Sequence, residues 1–192
     1  EFTFSSNRWI LDNEPANVES DFALGMHIPK RWDKILDIES CHLMPEIGTD
    51  IINYVRDLAK KLKLKPYDQK SHIGFLRYLV LRFGQNTNEL MVNLVTAYED
   101  LDLLIPVVTK LAKKFPQITS IVNNINTRKA DVAFGEHEIL LHGEPMLKER
   151  LKDLTFQISS NSFFQTNSFM AEKLYDVILD SANLKGDEIA LD

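Results

Sequence analysis

Gly74-Phe75-Leu76-Arg77-Tyr78-Leu79-Val80-Leu81-Arg82-Phe83, then Gly84-Gln85-Asn86-Thr87-Asn88, then Glu89-Leu90-Met91-Val92-Asn93-Leu94-Val95-Thr96 reads as two apolar strands around a five-residue polar turn, a β-hairpin. Its neighbours on both sides are helical. Upstream, Ile47, Ile51, Ile52, Val55, Leu58, Ala59 and Leu62 share one helix face, and Lys34-Ile35-Leu36-Asp37-Ile38 before them reads as a strand. Downstream, Asp100 or Asp102 caps a helix whose apolar face is Leu104, Val107, Val108, Leu111, Ala112 and Phe115, with Pro116 just past its end. Ser120 to Asn126 is again strand-like. From Lys34 to Asn126 the order is βαββαβ, the split βαβ arrangement in which two helices cover one face of an antiparallel sheet, so the fold class is α+β.

Strands are added at both ends. Phe2, Phe4 and Trp9, and the run Phe22 to Ile28, predict two early strands linked by Asn13 to Asn17. A hairpin around Gly135, with Asp131 to Phe134 facing Glu138 to His142, precedes a strand from Leu154 to Ile158. Ser168 is placed to cap a third helix reaching about Ala182, with Phe169, Leu174, Val177 and Ile178 available to pack and Asn183 and Gly186 ending it. Glu188-Ile189-Ala190-Leu191-Asp192 starts an apolar strand. The chain thus divides into a central α+β domain, residues 1–160, and a linker helix with the threshold of a further domain, residues 161–192. The absent initiator methionine and the strand-like first residues suggest a start inside a longer gene product.

The 192 residues hold 22 basic and 28 acidic side chains, a net charge of −6, which argues against a surface that clings everywhere to nucleic acid. One cysteine and no Asn-x-Ser/Thr sequon exclude a secreted disulfide scaffold and favour a reducing compartment, the cytoplasm by default. No apolar run approaches the ~20 residues that span a bilayer, so no membrane is expected; a monomer is. The charge is uneven, however. Arg56 to Arg82 contains eight basic residues against two acids, a local +6, either a solvated helix end or a phosphate-facing patch.

Motifs that carry chemistry are scarce. His27, His42, His72, His137 and His142 have no metal-ligand spacing, and His137 and His142, an odd number of residues apart in one strand, should face opposite sides. Glycine-rich phosphate loops, a nucleophile elbow and a HExxH helix all fail to match. Cys41 has no nearby base or second ligand and reads as a small buried hydrophobe. The βαββαβ order is also that of an RNA-recognition module, but neither Glu89–Thr96 nor Lys34–Ile38 holds the aromatic on which such modules stack bases.

The last stretch is the informative one: Phe156-Gln157-Ile158-Ser159-Ser160-Asn161-Ser162-Phe163-Phe164-Gln165-Thr166-Asn167, then Ala171-Glu172-Lys173-Leu174-Tyr175, then Leu184 to Asp192. It resembles the RNA uracil-C5 methyltransferase family, whose members act on tRNA or rRNA. Gly25 to Cys41, Gly74 to Thr96, and Asn124-Ile125-Asn126 running to Leu141-His142-Gly143 look similar too, so the resemblance covers nearly the whole chain. It implies S-adenosyl-L-methionine as cofactor, RNA as partner, and a central domain followed by a linker helix and the first strand of a truncated Rossmann-like catalytic domain. The family's nucleophilic cysteine and its proton-abstracting glutamate lie beyond the last residue, so no catalytic residue is expected in this chain and the fragment alone should be inactive.

Two positions carry over from the resemblance. Gln165 matches a glutamine that lines the cofactor and uracil site. Cys41 matches the last of four cysteines that hold a [4Fe-4S] cluster in some members, the other three lying upstream of residue 1. Lys30, Arg31 and Arg77 are candidate contacts to RNA phosphates. Two other readings remain open, a methyltransferase with another substrate and a stand-alone RNA-binding or scaffold domain.

Overall fold

The hairpin read from Gly74–Thr96 is the middle of the sheet. In the computed structural model, which describes residues 1–15, 17–130, 132–186 and 188–189, β5 (Leu76–Gly84) and β6 (Glu89–Thr96) pair antiparallel from Leu76↔Thr96 to Gly84↔Glu89. Because Gly84 is itself paired, the turn is four residues, and Asn88 takes the left-handed conformation in it (φ 57°). β6 is apolar without alternation because both its faces are buried. Leu90, Val92 and Leu94 face α1 (Glu46–Lys61) and α2 (Leu101–Lys114), while Met91 meets Leu147 and Ile158 on the opposite side.

The sheet has eight strands. With β1 (Phe2–Ser5), β2 (Arg8–Trp9), β3 (Ala23–Ile28), β4 (Arg31–Asp37), β7 (Ser120–Ile125) and β8 (His137–Gly143), its order is β2-β4-β3-β1-β5-β6-β7-β8. The βαββαβ order holds, but the split βαβ pairing does not. β1 and β3 are inserted between β4 and β5, so the strands on either side of α1 are antiparallel to each other and two strands apart. Phe2, Phe4 and Leu24 explain the insertion: at 3%, 1% and 0% exposed they belong to the core beneath the helices, a place an edge position would not give them. The parallel unit formed is β6-α2-β7. Asp100 caps α2, accepting from the Leu103 N–H at 3.1 Å.

Three further expectations change. β8 pairs with β7 across a longer connection, and 132–134 form no strand; Asp131 lies outside the described residues. A register shift leaves Leu141 as an extra residue in β8, which puts His142 opposite Ile121 and His137 opposite Ile125, on one face rather than two. The predicted strand at Leu154–Ile158 is one arm of a hairpin, β9 (Leu147–Leu151) with β10 (Leu154–Ile158), which closes the second face of the sheet. Asn167, not Ser168, caps α3 (Ser168–Ala182), accepting from the Met170 N–H at 3.0 Å, and Asn183 ends it in the left-handed conformation. Phe169, Leu174, Val177 and Ile178 are 49–65% exposed, so these apolar positions stay largely open to solvent. Of the strand expected at the end, residues 188 and 189 are not strand and 190–192 lie outside the described residues.

Candidate active-site cleft

Gln165 follows Phe164, and Phe164 is what fixes it. The Phe164 ring packs on the Met91, Val122, Leu147 and Ile158 cluster and against Phe156, centroids 5.6 Å apart, whereas Phe163 points to solvent, 85% exposed. Gln165 then enters a cleft of about 240 Å³ walled by Leu81, Arg82 and Phe83 of β5, Met26 of β3, and the segment that carries Cys41 and Met44. The two positions singled out separately in the sequence therefore line one cleft. The Gln165 amide makes no hydrogen bond among the described residues, which leaves its two donors and its acceptor for a ligand.

Arg82 supplies the charge. Burial pushes its guanidinium pKa down from the ordinary value, and its Nε has no hydrogen-bond partner. Uncompensated burial of a cation is costly, so such a group is suited to an incoming anion or carbonyl. Cys41 is a free, half-buried thiol whose backbone N–H reaches Thr49 Oγ1 at 3.3 Å. Among the described residues no group of three or more histidine, cysteine or carboxylate side chains is placed to hold a metal ion, so the residues of this chain do not by themselves fit an iron-sulfur cluster, which takes four ligands.

The approach to Gln165 is pinned from below. Asn124, fully buried, donates through Nδ2 to Ser160 Oγ at 2.6 Å and to Asn93 Oδ1 at 3.1 Å, and accepts from Asn161 Nδ2 at 3.0 Å. Ser160 Oγ also donates to Glu138. Beyond Gln165, Ser168 Oγ donates to Glu149 at 2.6 Å, and the same carboxylate accepts from the Gln85, Asn86 and Arg150 N–H groups at 2.7, 3.0 and 2.8 Å. Glu149 is 1% exposed. Burial alone would raise its pKa, but the Ser168 hydroxyl and the three amides outweigh this and hold it below the ordinary value. Sequence reading missed Glu149, although one signal was there: in Leu147-Lys148-Glu149-Arg150-Leu151 it occupies the inward, apolar phase of the alternation.

The proposed phosphate contacts separate. Lys30 is exposed at the left-handed tip of the β3–β4 turn. Arg31 lies over Trp9 and is engaged by Asp33 at 3.1 Å; Arg31 and Lys70 hold the Asp33 carboxyl well below the usual range. Arg77 is not at the surface. It is 2% exposed, sits 4.4 Å from the Tyr67 ring centre, and donates to the Asn126, Arg128 and Ala130 carbonyls, because that segment leaves the sheet with carbonyls no strand can pair. Arg56, also read as part of a basic face, is 7% exposed and clamps Asp37 at 2.9 Å together with the Leu24 and Ile38 carbonyls.

No family model matches the chain. It is 42% identical over 187 residues to an uncharacterized RNA methyltransferase of Chlorobaculum tepidum, covering 93% of this chain and 38% of that protein. An uncharacterized RNA methyltransferase of Porphyromonas gingivalis is 37% identical over 201 residues, covering all of this chain and 43% of its own length. The chain thus spans about two fifths of the curated relatives it matches. Among solved structures, the tRNA (uracil-54, C5)-methyltransferase of Pyrococcus abyssi, in complex with S-adenosyl-L-homocysteine, superposes with a TM-score of 0.68 at 32% identity, over 85% of this chain and 38% of that one.

Proposed function

Since the chain belongs to the RNA uracil-C5 methyltransferase family, we propose that it is the central region of an S-adenosyl-L-methionine-dependent enzyme that methylates C5 of a uridine in rRNA or tRNA. The observation that carries this reading is the position of Gln165: an amide with no partner of its own, beside a desolvated arginine, at the foot of the helix that leads out of the domain. When bound, the cofactor supplies the methyl group. This chain's part is to orient, with the Gln165 amide meeting a polar edge of the cofactor or the base and Arg82 meeting an oxygen of the ligand. Residues 1–160 then form the central domain, and the open apolar face of α3 is where the catalytic domain packs. None of the described helices is long and apolar enough to cross a membrane; a cytoplasmic monomer accords with the reading.

The test is methylation by the complete gene product of transcribed tRNA and rRNA, with nucleosides identified by mass spectrometry after digestion. 5-Methyluridine is expected. Methyl transfer to another base, or to the ribose, would overturn the reading.

A further inference from the structure

A second concavity, about 740 Å³, opens at the other end of β5, where the residues after α1 meet the segments that leave β6 and β7. Phe75 and Arg82 are seven residues apart, so along an extended strand the groove lies roughly 24 Å from the Gln165 cleft. Its shape is fixed by backbone. Gly74 has φ 129°, and a Cβ there would lie 2.1 Å from the Pro66 carbonyl oxygen, so only glycine fits.

Lys63, Lys65 and Lys129 line this groove, all three are exposed, and none is in an ion pair among the described residues. Lys63 and Lys65 belong to the basic stretch Arg56–Arg82, most of whose other members are engaged elsewhere, and Lys129 joins them from the segment after β7. Arg56 and Arg77 are buried clamps, Lys60 pairs with Glu19 at 2.6 Å, and Lys70 pairs with Asp33 at 3.1 Å. Two neighbouring carboxylates are engaged elsewhere, Glu136 by Arg128 and Thr127 and Asp100 by the α2 cap, and Glu99, exposed beside Tyr98, does not line the groove. Tyr98, 47% exposed, lines the same groove, its ring held 5.1 Å from that of buried Phe75. Uncompensated ammonium groups around a fixed aromatic face, on a chain of net charge −6, have the composition of a single-stranded nucleic acid site, with phosphates on the cations and a base on the ring.

We propose that this groove is a second RNA-binding surface, which holds a single-stranded segment of the substrate away from the reacting uridine. The proposal rests on the reading that the substrate is RNA. A duplex would not serve, since its stacked bases cannot lie on Tyr98.

The experiment is fluorescence anisotropy of the 192-residue chain with a labelled oligouridine, and with an RNA duplex of equal length, across a salt series. The single strand should bind more tightly. Lys63→Gln/Lys65→Gln/Lys129→Gln should weaken binding ten-fold or more and flatten the log–log salt dependence by about 2, at about 0.7 for each phosphate no longer neutralised. Tyr98→Ala should weaken it about five-fold or more, Tyr98→Phe should bind as the unmodified chain does, and Lys110→Gln/Lys113→Gln on the outer face of α2 should change nothing. Thermal melting checks that each variant is folded. Equal affinity and salt slope in the triple variant, equal binding of duplex, or displacement of RNA by an acidic peptide at equal charge would overturn the proposal. Absence of RNA binding by the unmodified chain would overturn it too, while the methyltransferase reading is decided separately by nucleoside analysis of the complete protein.

Discussion

Glu149→Gln is expected to destabilise the domain by about 2–3 kcal/mol at neutral pH. In the native chain Oε1 accepts from the Asn86 and Arg150 N–H groups and Oε2 from the Gln85 N–H and the Ser168 hydroxyl. A glutamine keeps most if its carbonyl replaces Oε1, because its NH₂ can then donate to Ser168 Oγ, which rotates to accept. The Gln85 N–H is left without an acceptor, a loss of about 1–3 kcal/mol, and the bonds that remain lose their charge assistance. Glu149→Ala strands all four donors and should cost more, about 3–5 kcal/mol. The sign with pH follows from the lowered carboxyl pKa: the stabilisation is full above the unfolded value of about 4.3 and is lost as pH falls through the depressed native one. The gap between the native chain and the glutamine variant should therefore narrow below about pH 4. Urea unfolding followed by Trp9 and Trp32 fluorescence at pH 7 and pH 3 measures both. A glutamine variant within 0.5 kcal/mol of the native chain at pH 7, or a gap that is the same at pH 3, would refute the reasoning.

Gln165→Ala should leave the urea midpoint nearly unchanged, since its exposed amide has no partner to lose, and should lower kcat/KM of the complete enzyme ten-fold or more, about 1.4 kcal/mol of transition-state binding; unaltered turnover would make Gln165 structural. Arg77→Met should cost about 3–5 kcal/mol by leaving three carbonyls unpaired in the interior, and trypsin cleavage after Arg128 and Lys129 should quicken; a variant as stable as the native chain would contradict the clamp. Cys41→Ser should leave the melting temperature of this chain unchanged, and in the complete protein, purified without oxygen, it should lower bound iron only where upstream residues supply three further thiolates; equal iron in both forms removes any ligand role.

The hairpin, α1, α2 and the order from β4 to β7 were legible because each depends on local periodicity, which Ile51-Ile52-Val55 or Leu104-Val107-Val108 displays directly. Strand order was not. Phe2 and Phe4 announce a strand, but nothing local says that it is wedged between β3 and β5, because that pairing is settled by which face the distant α1 must cover. The charged groups were misread for one reason: a lysine or arginine counts as surface in any composition argument, and Arg56, Arg77 and Glu149 are buried because backbone donors and acceptors at strand ends need partners. Gln165 was singled out through its motif, and the structure places it at a cleft. Its meeting with Cys41 and Arg82 in one cleft depends on the third dimension and could not be read from spacing.

The central claim, methylation at uridine C5, is tested most directly with RNA tritiated at C5 of its uridines. Replacing the C5 hydrogen by methyl must release that tritium to water. The complete enzyme with S-adenosyl-L-methionine should release one tritium for each methyl transferred, while the 192-residue chain alone releases none. Methyl transfer without tritium release would place the modification elsewhere and contradict the account.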